Sequence, residues 1–113
     1  VKVNCVLMHQ TREELLALAE LAKDGVDVRV VSMPSMEAFE EQTAEYKESV
    51  LPKACRKRVA VEALSDFGWY RYVGLDGKVV SMTGFGASGP AASLFEKFGF
   101  TTENVVAAVK SVL

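Results

Sequence analysis

VKVNCVLMHQTREELLALAELAKDGVDVRVVSM, residues 1–33, changes its apolar period twice. Residues 1–8 read as a strand with apolar residues on both faces towards its end. Residues 11–25 then place Leu15, Leu18, Ala19 and Ala22 on one stripe at helical spacing, with Glu13, Glu20 and Lys23 facing away. Thr11 and Glu14 have capping-box spacing at the start of this helix, and Gly25 follows it as a left-handed terminator. Residues 26–33 alternate and then become continuously apolar, as a second strand should. Strand, helix and strand within about thirty residues form a β-α-β unit, which requires parallel neighbours and a right-handed crossover.

The rest of the chain extends that unit. Pro34 ends the second strand and Ser35 can cap a helical region that is polar and breaks near Gln42 or Thr43, giving two short helices. Pro52 closes it. Residues 57–64 (KRVAVEAL) read as a third strand, buried on both sides through its middle. Residues 68–74 (GWYRYVG) are aromatic and bounded by glycines, and Asp76-Gly77 is a tight-turn pair feeding a fourth strand, residues 78–82. Helices are expected over residues 90–98 and 102–113. No repeat, low-complexity tract or linker interrupts this order, so residues 1–113 are expected to form one three-layer α/β domain, a mostly parallel sheet flanked by helices.

Half of the 113 residues are hydrophobic, enough for a real core, and the net charge of −2 comes from interleaved acids and bases. That balance offers no general attraction to nucleic acid or to an anionic membrane surface. No apolar run approaches the ~20 residues of a membrane span, and the start lacks the order of a signal peptide. The two cysteines, Cys5 and Cys55, have no C-x-x-C spacing and no neighbouring histidine. Thiols in a reducing compartment, and hence a cytoplasmic protein, are the expectation. The chain also begins without Met, as an excised piece of a longer protein would.

Residues 84–89 (GFGASG) spell G-x-G-x-x-G, the pattern of a dinucleotide-binding turn. Such a turn should open a β-α-β unit and be followed by an acidic residue at the end of the next strand. Here it follows the fourth strand, only helices come after it, and Glu103 falls in the first turn of a helix. Pro90 suits the first helical position and ends the loop. A turn between strand and helix is the better meaning.

Read with its surroundings, the same string points elsewhere. RVVSMPSMEAFEEQTAEYKESVLPKA (residues 29–54), RVAVEA (58–63) and WYRYVGLDGKVVSMTGFGASGPAASLFEKFGFTTENVV (69–106) closely resemble the C-terminal domain of transketolases. The linked motifs S-M-P, E-S-V-L-P, V-A-V-E-A, W-Y-x-Y-V-G and F-G-x-S-x-P-A…F-G-F-T…N-V-V carry the resemblance from Arg29 to Leu113. In that family the glycine string reads more like T-T-F-G-E-S-A-P. Gly84 and Gly89 then stand for a Thr and an Ala, and the fingerprint is a coincidence of two substitutions. Residues 7–10 (LMHQ) depart from the family's T-G-S-E, which removes a small Gly and Ser from the first helix start.

The resemblance implies a five-stranded mixed sheet. It also implies an enzyme that uses thiamine diphosphate and a divalent metal, Mg or Ca, to move a two-carbon ketol unit between ketose and aldose phosphates in the pentose phosphate pathway. The family's enzymes are homodimers of three domains, with the cofactor held by the first two. This chain is then a structural, dimer-supporting domain whose partners are the other domains and a second subunit. It carries no catalytic, cofactor or metal residue of its own, and the isolated chain is expected to be inactive.

Five residues remain as interdomain or ligand candidates. His9 is the only histidine, at a strand-to-helix junction where open α/β sheets place ligands, but no partner base is evident. Glu62 interrupts an apolar strand, so its carboxylate must reach a donor, solvent or a neighbouring domain. Trp69, Tyr70 and Tyr72 could stack on a ligand, fill the core or face another domain. The basic cluster Lys53, Arg56, Lys57 and Arg58 could hold a phosphate or be a solvated loop, and Ser88 and Ser93 have no His and acid placed to activate them. A stand-alone ligand-binding or regulatory module is the alternative reading, as is the same domain of a dihydroxyacetone or xylulose-phosphate synthase.

Overall fold

The computed structural model describes residues 2–7 and 12–113, with side chains from Leu16 onward. Chain order is β1 (Lys2–Leu7), α1 (Arg12–Lys23), β2 (Asp27–Ser32), α2 (Met36–Glu40), α3 (Ala44–Val50), β3 (Arg58–Val61), α4 (Tyr70–Val73), β4 (Lys78–Val80), α5 (Ala91–Lys97) and α6 (Thr102–Ser111). The strands lie in the order β2-β1-β3-β4, and each neighbouring pair is parallel. The chain therefore winds outward from β1 to β2, crosses back, and continues through β3 to β4. The reversal falls between β1 and β3, where Val6 lies opposite Val31 on one side and Ala60 on the other.

β3 shows why a sheet suits this sequence. Successive side chains point to opposite faces, and Val59 and Val61 enter one core while Ala60 enters another. The first core holds Ala17 and Leu21 of α1 and Val105, Ala108 and Val109 of α6, with Phe100. The second holds Val31, Met33, Leu51, Trp69, Tyr72 and Val73. Helices thus cover both faces, and the three layers expected of the sequence are present. Val59, Ala60 and Val109 are fully buried.

Local chemistry sets the helix ends. The break in the polar region falls where Thr43 leaves α2 behind and its side chain accepts the Tyr46 N–H at 3.2 Å; Ser35 does the same for Ala38 at 3.1 Å, and Thr101 for Asn104 at 3.2 Å. Gly25, at φ 75°, closes α1 with paired bonds from Gly25 N–H to Ala22 O and from Val26 N–H to Leu21 O. Pro90 sits just before α5 rather than inside it.

Three expectations change. Among the described side chains of α1 the stripe is rotated: Ala17 and Leu21 are buried, Leu18 is partly buried, and Ala19 and Ala22 are exposed. The side chain of Leu15 lies outside the described ones. The buried positions pack with Val105, Ala108 and Val109 of α6. The sheet has four strands among the described residues, all parallel, instead of five in a mixed sheet. The ladder runs on briefly past β4, from Glu62 N–H to Val80 O and from Met82 N–H to Leu64 O, and then ends. Beyond it Gly84, Gly86, Gly89 and Pro90 are exposed and weak strand formers.

The third change concerns Gly77. Its φ is not positive; the left-handed residue of this turn is Gly74, at φ 73°. A Cβ on Gly77 would stand 2.5 Å from Val73 O and 2.8 Å from Arg58 O. Both are backbone atoms and cannot swing aside. Gly77→Ala is expected to destabilise the domain by about 1–3 kcal/mol, as overpacking does. Urea unfolding measures it, and Gly74 gives the contrast: a Cβ there meets no atom within 4 Å, so Gly74→Ala carries only backbone strain.

Candidate functional site

The short helix α4 sorts the aromatic segment. Trp69 and Tyr72, three residues apart, turn the same way into the second core, at 1% and 5% exposure, and their rings meet edge-on with centroids 5.9 Å apart. Tyr70 points outward and is 52% exposed. Glu62 is buried at 4%, just past the end of β3 and beside the reversal in strand order. His9 lies outside the described residues, as do the Thr11–Glu14 capping pair and the side chain of Cys5. Ser88 and Ser93 are exposed.

The basic cluster divides. Lys57 turns to the chain's end, donating to Leu113 O at 2.7 Å. Arg58 turns inward: Nε donates to Cys55 O at 2.8 Å, Nη1 to Tyr72 O at 2.7 Å, and Nη2 to Pro52 O at 2.7 Å and Leu51 O at 3.2 Å. Arg56 pairs with Asp76 at 2.7 Å on the surface. Lys53 stays exposed beside them.

A second polar group comes from distant parts of the chain. Glu40 Oε1 accepts the Tyr72 hydroxyl at 2.9 Å, and Oε2 accepts from Arg71 at 3.0 Å and Lys47 at 3.3 Å. This group sits at the mouth of a cleft of about 810 Å³ whose wall includes Phe39, Glu48, Lys53 and Arg58. The Tyr72 bond, with Lys47 and Arg71 behind it, holds the Glu40 carboxyl below its usual value. Burial, then the bond to Glu40, pushes Tyr72 up to about 12.

Large apolar side chains are exposed in the segments that follow β3 and β4, as Leu75 is before β4. Leu64 is 66% exposed, Phe67 90% and Phe85 100%. Leu64 and Met82 line one shallow hollow with Gly84 and Gly86, which flank Phe85. Leu64, Phe67 and Phe85 were not among the sequence candidates. Their signal was present, since S-D-F-G and G-F-G set large apolar residues in turn-forming surroundings that cannot deliver them to a core.

Residues 10–101 match the family model described as the transketolase-like C-terminal domain. The chain belongs to the transketolase C-terminal domain family. It is 59% identical over 98 residues to transketolase 1 of Escherichia coli, an overlap that takes in 86% of this chain and 15% of that one. Against transketolase of Staphylococcus aureus the identity is 53% over 96 residues, or 85% of this chain and 14% of the relative. Transketolase from Leishmania mexicana has the same fold, with a TM-score of 0.84 and 38% identity over 98% of this chain and 16% of that structure. The chain thus spans about one-seventh of the length of the curated relatives it matches.

For this transketolase domain, the two polar groups have separable effects. Arg58→Ala would leave the carbonyls of Leu51, Pro52, Cys55 and Tyr72 without that donor. The expected loss is about 2–4 kcal/mol in urea unfolding, since each unmet buried acceptor costs about 1–3 kcal/mol and water reaches some of these. Arg58→Lys should not restore it, because a lysine cannot span four acceptors in one plane.

Glu40 and Tyr72 shape the pH dependence from opposite sides. The Glu40 pKa is lowered on folding, so its contribution is present above the usual carboxylate pKa and is lost as pH falls through the folded value. The Tyr72 pKa is raised, so its contribution is whole below the ordinary value of 10.0 and is lost as pH rises to about 12. Urea midpoints of the parent should therefore fall across that alkaline window more steeply than those of Tyr72→Phe. Parallel curves would refute the assignment.

Proposed function

We propose that this chain acts as the C-terminal domain of a transketolase, docking the rest of the enzyme through the large apolar side chains exposed past β3 and β4. The whole enzyme is a thiamine-diphosphate- and metal-dependent homodimer that transfers ketol units between sugar phosphates in the cytoplasm. Among the described residues no three His, Cys, Asp or Glu side chains gather to hold a metal. The glycine string is exposed past the last strand, with open space around Gly84 and Gly86. The described residues thus do not fit a diphosphate–metal site, and no step of ketol transfer is assigned to them.

The observation that carries this reading is the exposure of Leu64, Phe67 and Phe85 in the segments that follow β3 and β4. Full exposure of such side chains forfeits about 1.5–3 kcal/mol each, which burial against another surface recovers. The chain's one-seventh share of its relatives' length leaves ample polypeptide to cover them. Tyr70, a large exposed ring with a polar tip, adds to the docking surface. Glu62, just past the end of β3, is proposed as a polar contact of the same interface, and His9, which lies outside the described residues, as another.

Replacing Leu64, Phe67 or Phe85 by Ser should change the isolated domain's stability by no more than about 0.5 kcal/mol, as at an open surface. In the full-length enzyme the same changes should weaken domain docking or the dimer by about 1 kcal/mol or more. Urea midpoints of both forms, with sedimentation of the full-length enzyme, provide the comparison. Equal effects in the two forms would refute the docking role.

A further inference from the structure

A second cleft, of about 260 Å³, opens between the loop joining α3 to β3 and the turn joining α4 to β4. Lys53, Arg56, Arg58 and Arg71 line it, against the single carboxylate of Asp76. Two segments supply these cations: residues 53–58, a basic cluster already evident in the sequence, and α4, from which the fold adds Arg71.

The state of each cation matters more than their number. Arg58 is partly buried and held by four carbonyl oxygens, and among the described residues no carboxylate lies within salt-bridge distance of it. Carbonyl dipoles satisfy its N–H groups but leave its full positive charge in place. Partly buried charge of this kind favours an anion nearby. Lys53 has an exposed side chain that forms no ion pair among the described residues.

Arg56 and Arg71 are engaged only at the rim. The Arg56 side chain is 76% exposed and its partner Asp76 60%; Arg71 is 65% exposed and its partner Glu40 29%. The Arg56–Asp76 pair, exposed on both sides, holds its side chains weakly and is readily exchanged. The partly buried Glu40 that Arg71 meets is held by Tyr72 and Lys47 as well. Each guanidinium also keeps several N–H donors beyond the one contact. A dianion entering the cleft would meet Arg58 held in place, Lys53 and Arg56 able to close on it, and the remaining donors of Arg71.

The neighbouring cleft suggests what the anion carries. Both clefts share Lys53, Arg58, Arg71 and Tyr72 as a common wall. Past that wall the larger space is lined by the ring of Phe39, the carboxylates of Glu40, Glu45 and Glu48, and Lys47, whose ammonium is already paired with Glu40. Carboxylates accept hydrogen bonds from hydroxyl groups and repel further negative charge. The arrangement suits one phosphate at the small end and a neutral, hydroxylated body at the other.

We propose that these adjoining clefts bind a small polyol phosphate monoester, its phosphate held by Lys53, Arg56, Arg58 and Arg71. The site lies beside α3 and α4, on the sheet face opposite α1 and α6, and involves none of Leu64, Phe67 and Phe85. It stands or falls independently of the docking role.

The test is an NMR titration of the 113-residue chain with glycerol 3-phosphate, inorganic phosphate and glycerol, at constant ionic strength set with chloride. Glycerol 3-phosphate should give saturable shifts at the amides of Gly74, Leu75 and Asp76. Inorganic phosphate should move the same amides more weakly, and glycerol alone should not move them. Lys53→Met and Arg71→Met keep the aliphatic stems of exposed side chains and should each weaken binding about tenfold, as loss of a charge-assisted hydrogen bond does. Lys23→Met, a remote surface change, should leave it unaltered. Phosphate binding as tightly as glycerol 3-phosphate would overturn the polyol half of the proposal. Shifts that never saturate, that glycerol reproduces, or that persist in the two Met variants would overturn it entirely.

Discussion

Four carbonyl oxygens, those of Leu51, Pro52, Cys55 and Tyr72, converge on the guanidinium of Arg58. Irregular backbone leaves its polar groups unpaired unless something else meets them, and an arginine presents five donors in one rigid plane. This one side chain therefore lets α3 stop, lets the loop turn into β3 and lets α4 end against the same strand. The position of Gly77 follows from it, because the backbone of Arg58 and that of Val73 press together where Gly77 passes. Trp69 and Tyr72 keep their places in the core only while α4 is held there.

β3 extends that constraint through the domain. Ala60 faces the core that Arg58 helps to close, while Val59 and Val61 face the core under α1 and α6. A strand buried on both sides allows little freedom of register, since a slip of one residue would exchange its two faces. The polar groups then distribute around this rigid element. Glu62 marks its carboxyl end, and Glu40 meets Tyr72 and Arg71 beside the second core. Large apolar side chains, Leu64 and Phe85 among them, remain exposed just past the carboxyl ends of β3 and β4.

The sorting of Trp69, Tyr70 and Tyr72 shows how far pattern reaches. Three rings in four residues cannot all enter one core, so an outward ring was a necessity of geometry. Which ring it would be depended on whether the segment formed a strand or a helix. A strand would have set Tyr70 and Tyr72 on the same face; the short helix pairs Trp69 with Tyr72 instead. The basic cluster was legible as charge, but one of its members proved to be a scaffold, another a tie to the chain's end, and Arg71 joined from elsewhere.

The order of elements, the parallel pairing of β1 with β2, the break at Thr43 and the membership in the transketolase family were all present in the sequence. Each depends on neighbours along the chain: a change of apolar period, a hydroxyl three residues before an amide, a string of linked motifs. Tertiary structure alone decided which face of α1 is buried, why Gly77 must be glycine, and how Glu40 reaches a tyrosine thirty-two residues away. It also decided that the sheet's described ladder ends after four strands. Those outcomes turn on distances between segments remote in sequence, set by packing against both faces of one sheet, and local pattern holds no record of them.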